Sequence, residues 1–191
     1  RGVKSRKMHT ERRDAFKPVN DLPLARVFPS GVIEKISDYK MRNPENKPVL
    51  NVKMDEKVAL VQVYPGMDPG VIDYFIDKKY HGIVLSAYAL GHVSKTIIPS
   101  LKKAHNRGIP VVITSQALYG RVHPYVYERA RRLVFEEKVI YGEDMLPEVA
   151  YVKLMHLLAK TKKIDELRLL MTTNIVGEIT KTTSALAYNL P

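Results

Sequence analysis

Three short apolar runs recur about 25 residues apart in the middle of the chain, and they constrain its fold more than any other feature. They occupy residues 58–64, 82–86 and 110–114. Runs of this kind are typical of strands that are buried on both faces. Strands at this spacing require parallel pairing and right-handed crossovers. The sequence therefore predicts an α/β fold with an open parallel βαβαβ sheet, flanked by helices in three layers.

The intervals between these runs carry helical patterns. Asp68 and Pro69 supply an N-cap and a first-turn proline, and the apolar residues that follow at positions 71, 72, 75 and 76 fall on one helical face. A second helix, over residues 95–106, is broken or started by Pro99. Further helices are predicted at residues 124–135, 147–159 and 164–171, with Asp144 as the N-cap of the second of these.

The first part of the chain has a different character. Five prolines lie within residues 1–57, and each removes a backbone donor and biases its predecessor towards extended conformations. Long helices are thereby excluded, and only residues 25–28 and 32–36 resemble short strands. We interpret residues 1–57 as an irregular arm and linker, and residues 58–191 as the α/β domain.

Positive charge is concentrated at the start of the chain. Of the formal net charge of +11, +5 comes from residues 1–17, which carry seven basic and two acidic residues. A basic arm can contact phosphates, with an affinity that falls as salt is added. It can equally be a solvated or substrate-facing segment, and the lack of interleaved aromatic residues argues against a single-strand nucleic-acid binder.

Several kinds of site are excluded by what the sequence lacks. It has no cysteine, which excludes disulfides, thiolate catalysis and the common zinc sites. It has no P-loop, GxGxxG, HExxH or GxSxG motif, and no apolar run approaches the ~20 residues that span a bilayer. No metal or cofactor site is predicted, because the histidines never fall at metal-ligand spacing; they are His9, His81, His92, His105, His123 and His156.

Candidate functional groups lie in the loops that follow the predicted strands, because ligands of open α/β sheets bind beyond the carboxyl ends of the strands. Tyr88 and His92 follow the second strand, and Arg121 follows the third. His92 can face a ligand or be a surface residue, and Arg121 can approach a carboxylate or pack in a structural turn. In the arm, Lys7 is a candidate catalytic lysine whose spacing alone does not establish that role.

Five motifs, in the same order along the chain, carry a resemblance to a known family. Residues 1–20 contain the pattern K-x-x-T…D-A-F…N, in which Lys7 and Thr10 supply the lysine and the threonine. The others are LGHVSKTIIP at residues 90–99, TSQALYGRV at 114–122, GEDMLPEVAYVKLM at 142–155 and NIVGEI at 174–179. Together they resemble the asparaginase-type amidohydrolases, and within that family the D-subunit group of the archaeal glutamyl-tRNA(Gln) amidotransferases.

The resemblance implies hydrolysis of a side-chain amide, of glutamine or asparagine, through an acyl-enzyme on threonine. Family members carry the nucleophile in a T-G-G-T-I segment and a second threonine with an aspartate in an H-G-T-D-T segment, and neither string occurs in this sequence. The resemblance therefore implies a C-terminal portion of such a protein, inactive in isolation. Residues 1–57 would then end the catalytic domain, with Lys7 as its catalytic lysine. His92 would bind substrate in trans across a dimer.

The resemblance also implies partners. Released ammonia would serve an E-type subunit that holds tRNA(Gln) and uses ATP and Mg²⁺ to activate glutamate on the mischarged tRNA, so no cofactor is assigned to this chain. The N-terminal half of the same subunit, a homodimeric state and a cytoplasmic location complete the hypothesis. Two alternatives stay open, namely a fragment of a stand-alone L-asparaginase and a non-catalytic assembly or RNA-binding half.

Two stretches depart from the family pattern. Residues 87–90 read Ala-Tyr-Ala-Leu where a glycine-containing version is expected, which leaves the shape of this loop and the access of ligands open. Residues 181–191 match nothing in the family, and no role is predicted for them.

Overall fold

The N-terminal part of the chain forms two short antiparallel hairpins. The computed structural model describes residues 2–183 and 185–188. In the first hairpin β1 (Ser5–Lys7) pairs with β2 (Phe16–Pro18), and in the second β3 (Ala25–Val27) pairs with β4 (Ile33–Lys35). The strands predicted near residues 25 and 33 are confirmed, and the arm is more regular than the sequence indicates because β1 and β2 also pair.

A parallel sheet follows, as predicted. Its strands are β5 (Val58–Gln62), β6 (Gly82–Ala87), β7 (Val111–Ser115) and β8 (Ile140–Tyr141), and they lie in that order. The predicted βαβαβ unit is confirmed by β5, β6 and β7. Strand β8 was not predicted, because two residues are too few to show a strand pattern.

The helices agree with the predicted pattern, with some shifted starts. They are α1 (Gly70–Asp77), α2 (Ile98–Asn106), α3 (Glu128–Phe135), α4 (Pro147–Leu158), α5 (Ile164–Thr172) and α6 (Ala185–Tyr188), and a 3-10 turn at Lys95–Ile97 precedes α2. No helix in the described part of the chain is long and apolar enough to cross a membrane.

The predicted starts of α1 and α3 and the predicted N-caps of α1 and α4 were wrong. Helix α1 begins at Gly70, one residue later than predicted, and its N-cap is Pro69 and not Asp68, although the Asp68 carboxylate accepts a hydrogen bond from the Gly70 amide (2.7 Å). Helix α3 begins at Glu128 and not at residue 124. Asp144 does not cap α4, whose N-cap is Leu146, because the Asp144 carboxylate is engaged elsewhere.

The core lies on both faces of the parallel sheet, as a three-layer fold requires. Alternate residues of β6 point to opposite faces. Leu85 packs in one cluster with Ile72 and residues of α2 and α3, whereas Val84 packs in another with Leu154 and residues of α5. Burial of each such side chain contributes roughly 1.5–3 kcal/mol. The sheet is thus packed between two layers of helices, which fixes the positions of its strands.

The loop after β6 forms its turn without the glycine that the family pattern places there. Tyr88 and His92 form an isolated antiparallel bridge, and the turn between them contains Ala89 at φ 42° and Gly91 at φ 98°. Positive φ is costly for a residue with a Cβ atom. The departure from the family pattern at residues 87–90 therefore leaves the turn formed and places local strain at Ala89.

We expect Ala89→Gly to stabilise the chain by roughly 0.5–1 kcal/mol, because relief of left-handed strain outweighs the entropy that glycine adds to the unfolded state. Ala89 is exposed, so the change removes no core packing. Urea unfolding would measure it. The matched variant Gly91→Ala should be destabilised, since its Cβ would lie 2.7 Å from Tyr141 Cε1. Equal stability of wild type and Ala89→Gly would contradict the assignment of strain to Ala89.

Candidate active site

The N-terminal hairpin and the loops after β6, β7 and β8 meet at the carboxyl edge of the sheet. The Asn20 side chain donates to the Gly120 carbonyl (2.9 Å) and accepts from the Gly120 amide (2.8 Å), which joins the hairpin to the loop after β7. The Tyr141 hydroxyl donates to the Gly91 carbonyl (3.2 Å), which joins β8 to the loop after β6. This is the edge at which ligands of such sheets bind.

Asp144 is the point at which the arm and the sheet domain are joined. Its carboxylate lies 2.5 Å from Lys4 Nζ, and the two side chains are 0% and 1% exposed. The Lys4 ammonium also reaches the Asp144 carbonyl (3.4 Å). Charges can be buried in this way only when they are paired and hydrogen-bonded. The ion pair therefore fixes the residue that immediately precedes β1 against the loop after β8.

The same carboxylate also holds the segment that follows α5. The Thr180 amide donates to Asp144 Oδ1 (2.9 Å), and the Thr180 hydroxyl donates to Oδ2. Arg121 donates to the Thr180 carbonyl (2.6 Å) and lies 3.2 Å from Glu143 Oε2. These contacts fit the interpretation of Arg121 as a residue that packs in a structural turn, and they tie three parts of the chain together.

Lys7 is available for chemistry. It lies at the end of β1, is exposed, and its side chain makes no hydrogen bond or ion pair with any described residue. Thr10, the other motif residue beside it, is exposed in the loop between β1 and β2. An unpaired ammonium at the surface of the arm can approach groups that lie outside these 191 residues. Its catalytic role stays a prediction.

His92 lies in a different place. Its ring is partly buried and contacts the Tyr127 ring edge to face, with centroids 4.7 Å apart. Both line a cavity of about 730 Å³ between α2 and α3, together with Lys95, Arg129 and Glu137. Lys7 is not among the lining residues. Within the described structure, the cavity that His92 lines therefore does not include Lys7.

Lys4 and Asp144, which hold the arm in place, were not predicted as a pair from the sequence. Lys4 counted as one charge of a basic arm, and Asp144 was placed at a helix start. Neither shows a local pattern, because the partners are 140 residues apart. Asn20 did carry a signal, since it ends the family motif of residues 1–20.

A second buried ion pair supports the segment that carries Thr180. Lys153 Nζ lies 2.6 Å from Glu178 Oε1 and donates to the Met171 carbonyl (3.0 Å). Burial lowers the pKa of Lys153, and the Glu178 carboxylate offsets part of that effect. Burial also raises the pKa of Glu178, but the hydrogen bonds from Lys153 and from backbone amides outweigh it, so this pKa lies below its ordinary value. Glu178 is therefore held as a carboxylate.

Potential metal ligands are not clustered in the described part of the chain. Over residues 2–183 and 185–188, no group of three or more His, Cys, Asp or Glu side chains is placed to hold a metal ion.

Comparison with known proteins identifies what the chain is similar to. Residues 57–171 match the domain family described as the glutaminase/asparaginase C-terminal domain. The chain is 51% identical over 180 residues to the D subunit of the glutamyl-tRNA(Gln) amidotransferase of Pyrococcus horikoshii, and 52% identical over 184 residues to that of Methanopyrus kandleri. These alignments cover 94% of this chain but 41% and 40% of the relatives, so the chain spans about two fifths of their length.

Two solved structures of L-asparaginases are also similar to this chain. The thermostable L-asparaginase from Thermococcus kodakarensis matches with a TM-score of 0.82 and 32% identity, over 95% of this chain and 54% of that one. L-asparaginase I from Vibrio cholerae matches with a TM-score of 0.80 and 29% identity, over 94% of this chain and 54% of that one. The likeness covers the hairpins as well as the parallel sheet.

The buried pair of Lys153 and Glu178 predicts a pH dependence. A carboxyl group whose pKa is lowered by folding stabilises the fold above its unfolded pKa and loses that contribution as the pH falls through the folded value. Glu178→Gln should therefore be less stable than wild type at pH 7, and the difference should shrink as the pH falls through 4.5 and below. Thermal unfolding across this range would measure it, with exposed Glu45→Gln as the control. A constant difference at all pH values would contradict the prediction.

Proposed function

The chain belongs to the glutaminase/asparaginase family, and from this membership we propose that it is part of the ammonia-generating subunit of a tRNA-dependent amidotransferase. That enzyme would convert Glu-tRNA(Gln) to Gln-tRNA(Gln). The observation that carries the proposal is the 51% identity over 94% of the chain to the D subunit of such an enzyme, which exceeds the 32% identity to a solved L-asparaginase.

The proposed chemistry is hydrolysis of a side-chain amide. A threonine hydroxyl supplied by another part of the enzyme attacks the amide carbon, the C–N bond breaks and ammonia leaves, and water then releases the acid from the acyl-enzyme. In this scheme Lys7 accepts the threonine proton as an amine or stabilises the oxyanion as an ammonium. Its exposure and its lack of a side-chain partner among the described residues support this role.

The proposed division of the chain follows from this chemistry. Residues 1–57 would complete an asparaginase-like catalytic domain, and residues 58–191 would form the C-terminal α/β domain. The nucleophile would come from the N-terminal half of the same subunit. Two copies would associate as a homodimer, in which His92 of one copy binds the substrate of the other.

The proposed partner is the E-type subunit of the amidotransferase. It would bind tRNA(Gln), ATP and Mg²⁺ and would receive the ammonia. The cytoplasm is the proposed location, because this reaction serves translation.

A second candidate function is that of a stand-alone L-asparaginase, which the TM-score of 0.82 to such an enzyme favours. The two functions are separated by one measurement. Ammonia release that requires Glu-tRNA(Gln) and the E-type subunit supports the amidotransferase, and full activity on free asparagine without either supports the asparaginase.

The catalytic role of Lys7 can be tested in a reconstituted enzyme. A polypeptide of these 191 residues alone should release no ammonia, and addition of the N-terminal half should restore release. In that assembly Lys7→Ala should lower kcat by about 100-fold or more, as is usual for a general acid/base group. Lys17→Ala, which alters a lysine on the paired strand β2, is the matched control and should retain activity. Near-normal kcat in Lys7→Ala would remove Lys7 from the mechanism.

The role of His92 is tested by substrate affinity. Loss of one hydrogen bond to the substrate should weaken binding by roughly 1–3 kcal/mol, so His92→Ala should raise KM by several-fold to about 100-fold. The dimer should remain intact by sedimentation. His123→Ala, in the neighbouring loop, is the matched control. Unchanged kinetics would make His92 structural, and a monomeric variant would make it an interface residue.

A further inference from the structure

The β1–β2 hairpin is joined to the sheet domain at its base. At its base the Val19 amide donates to the Lys4 carbonyl (2.7 Å), and Asn20 is bonded to Gly120. Beyond Lys7, residues 8–14 form the connecting loop, and every one of them is exposed. Lys7 lies towards this outer end. Its position therefore depends on how firmly the base is held.

The direction of Lys7 is set by its neighbours in the chain. Arg6 Nε lies 3.3 Å from Glu148 Oε1, in the first turn of α4. Successive residues of a strand point to opposite sides. Because Lys4 and Arg6 face the sheet domain, Lys7 faces away from it.

Loss of the contact between Lys4 and Asp144 would displace the base of the β1–β2 hairpin. Both side chains are out of water, and an ammonium left there without its carboxylate is strongly unfavourable. Lys4 has a long side chain, so it can escape that situation by turning out to solvent. Such a movement would shift the start of β1 and, with it, Lys7.

We propose that Asp144 is a positioning residue for Lys7, acting through Lys4, and that Thr180 completes the support. The Thr180 amide and hydroxyl bind the two carboxylate oxygens and so fix the orientation in which the carboxylate meets Lys4. The proposal rests on the proposed function, in which Lys7 is the catalytic lysine. Asp144 itself touches neither the substrate nor the reacting atoms.

The test combines hydrogen exchange of the chain with kinetics of the reconstituted enzyme. In Asp144→Asn the Met8 and Val19 amides, which close the hairpin, should exchange about tenfold faster or more. The kcat should fall roughly 100-fold with KM within about twofold, because a displacement of about 1 Å in a catalytic group can cost that much. Thr180→Val should also speed the exchange of these amides and lower kcat, each by less than Asp144→Asn. Thr180→Ser keeps the hydroxyl and should behave as the wild type.

The control is Asp55→Asn, which removes a largely buried carboxylate at the opposite edge of the sheet, where it pairs with His81 and Lys162. It should leave hairpin exchange and kcat unchanged. An equal loss of kcat in this control would overturn the proposal in favour of general destabilisation. Unchanged exchange of Met8 and Val19 in Asp144→Asn would overturn it as well. A wild-type assembly without ammonia release would instead refute the proposed function, and loosened amides with intact kinetics would refute the positioning role alone.

Discussion

A carboxylate that is buried away from water needs positive charge and hydrogen-bond donors from the protein. Asp144 is such a carboxylate, and its donors come from distant parts of the chain. Its oxygens are bound by Lys4 from the start of the described chain and by Thr180 from near its end. Each of these contacts joins segments that local secondary structure leaves separate. Asp144 thus joins the arm, the loop after β8 and the segment after α5 through one buried charge, beside the contacts of Asn20 and Arg121.

The parallel sheet determines where that charge can lie. Parallel strands connected by right-handed crossovers place every loop from a strand to the next helix at the carboxyl edge, and helices cover both faces of the sheet. The packing on both faces is seen at Leu85 and Val84, adjacent residues of β6 that belong to separate core clusters on opposite faces. The loops that carry His92, Arg121 and Asp144 consequently meet although they lie far apart in the sequence.

The strands and helices that could be predicted from the sequence are those whose apolar residues repeat with the period of the element. The apolar runs identified β5, β6 and β7, and the amphipathic pattern identified α1, because burial repeats with the period of the element. Strand β8 could not be predicted, because two residues, Ile140 and Tyr141, are too few to show a repeating pattern. Asp144 was misassigned for a related reason: an aspartate shortly before a helix is a typical cap, and only the fold reveals that Lys4 reaches it.

The separation of Lys4 and Asp144 by 140 residues also has a consequence for the order of folding. Closing a loop of that size costs entropy that is not recovered until most of the intervening chain is already compact. The pairs within the β1–β2 hairpin and the ladders of the sheet close much shorter loops. We therefore expect the hairpin to dock late, onto a sheet that already exists, with the Lys4 ammonium hydrated until then. On this expectation the hydrophobic core forms before the segment that carries Lys7 reaches its place.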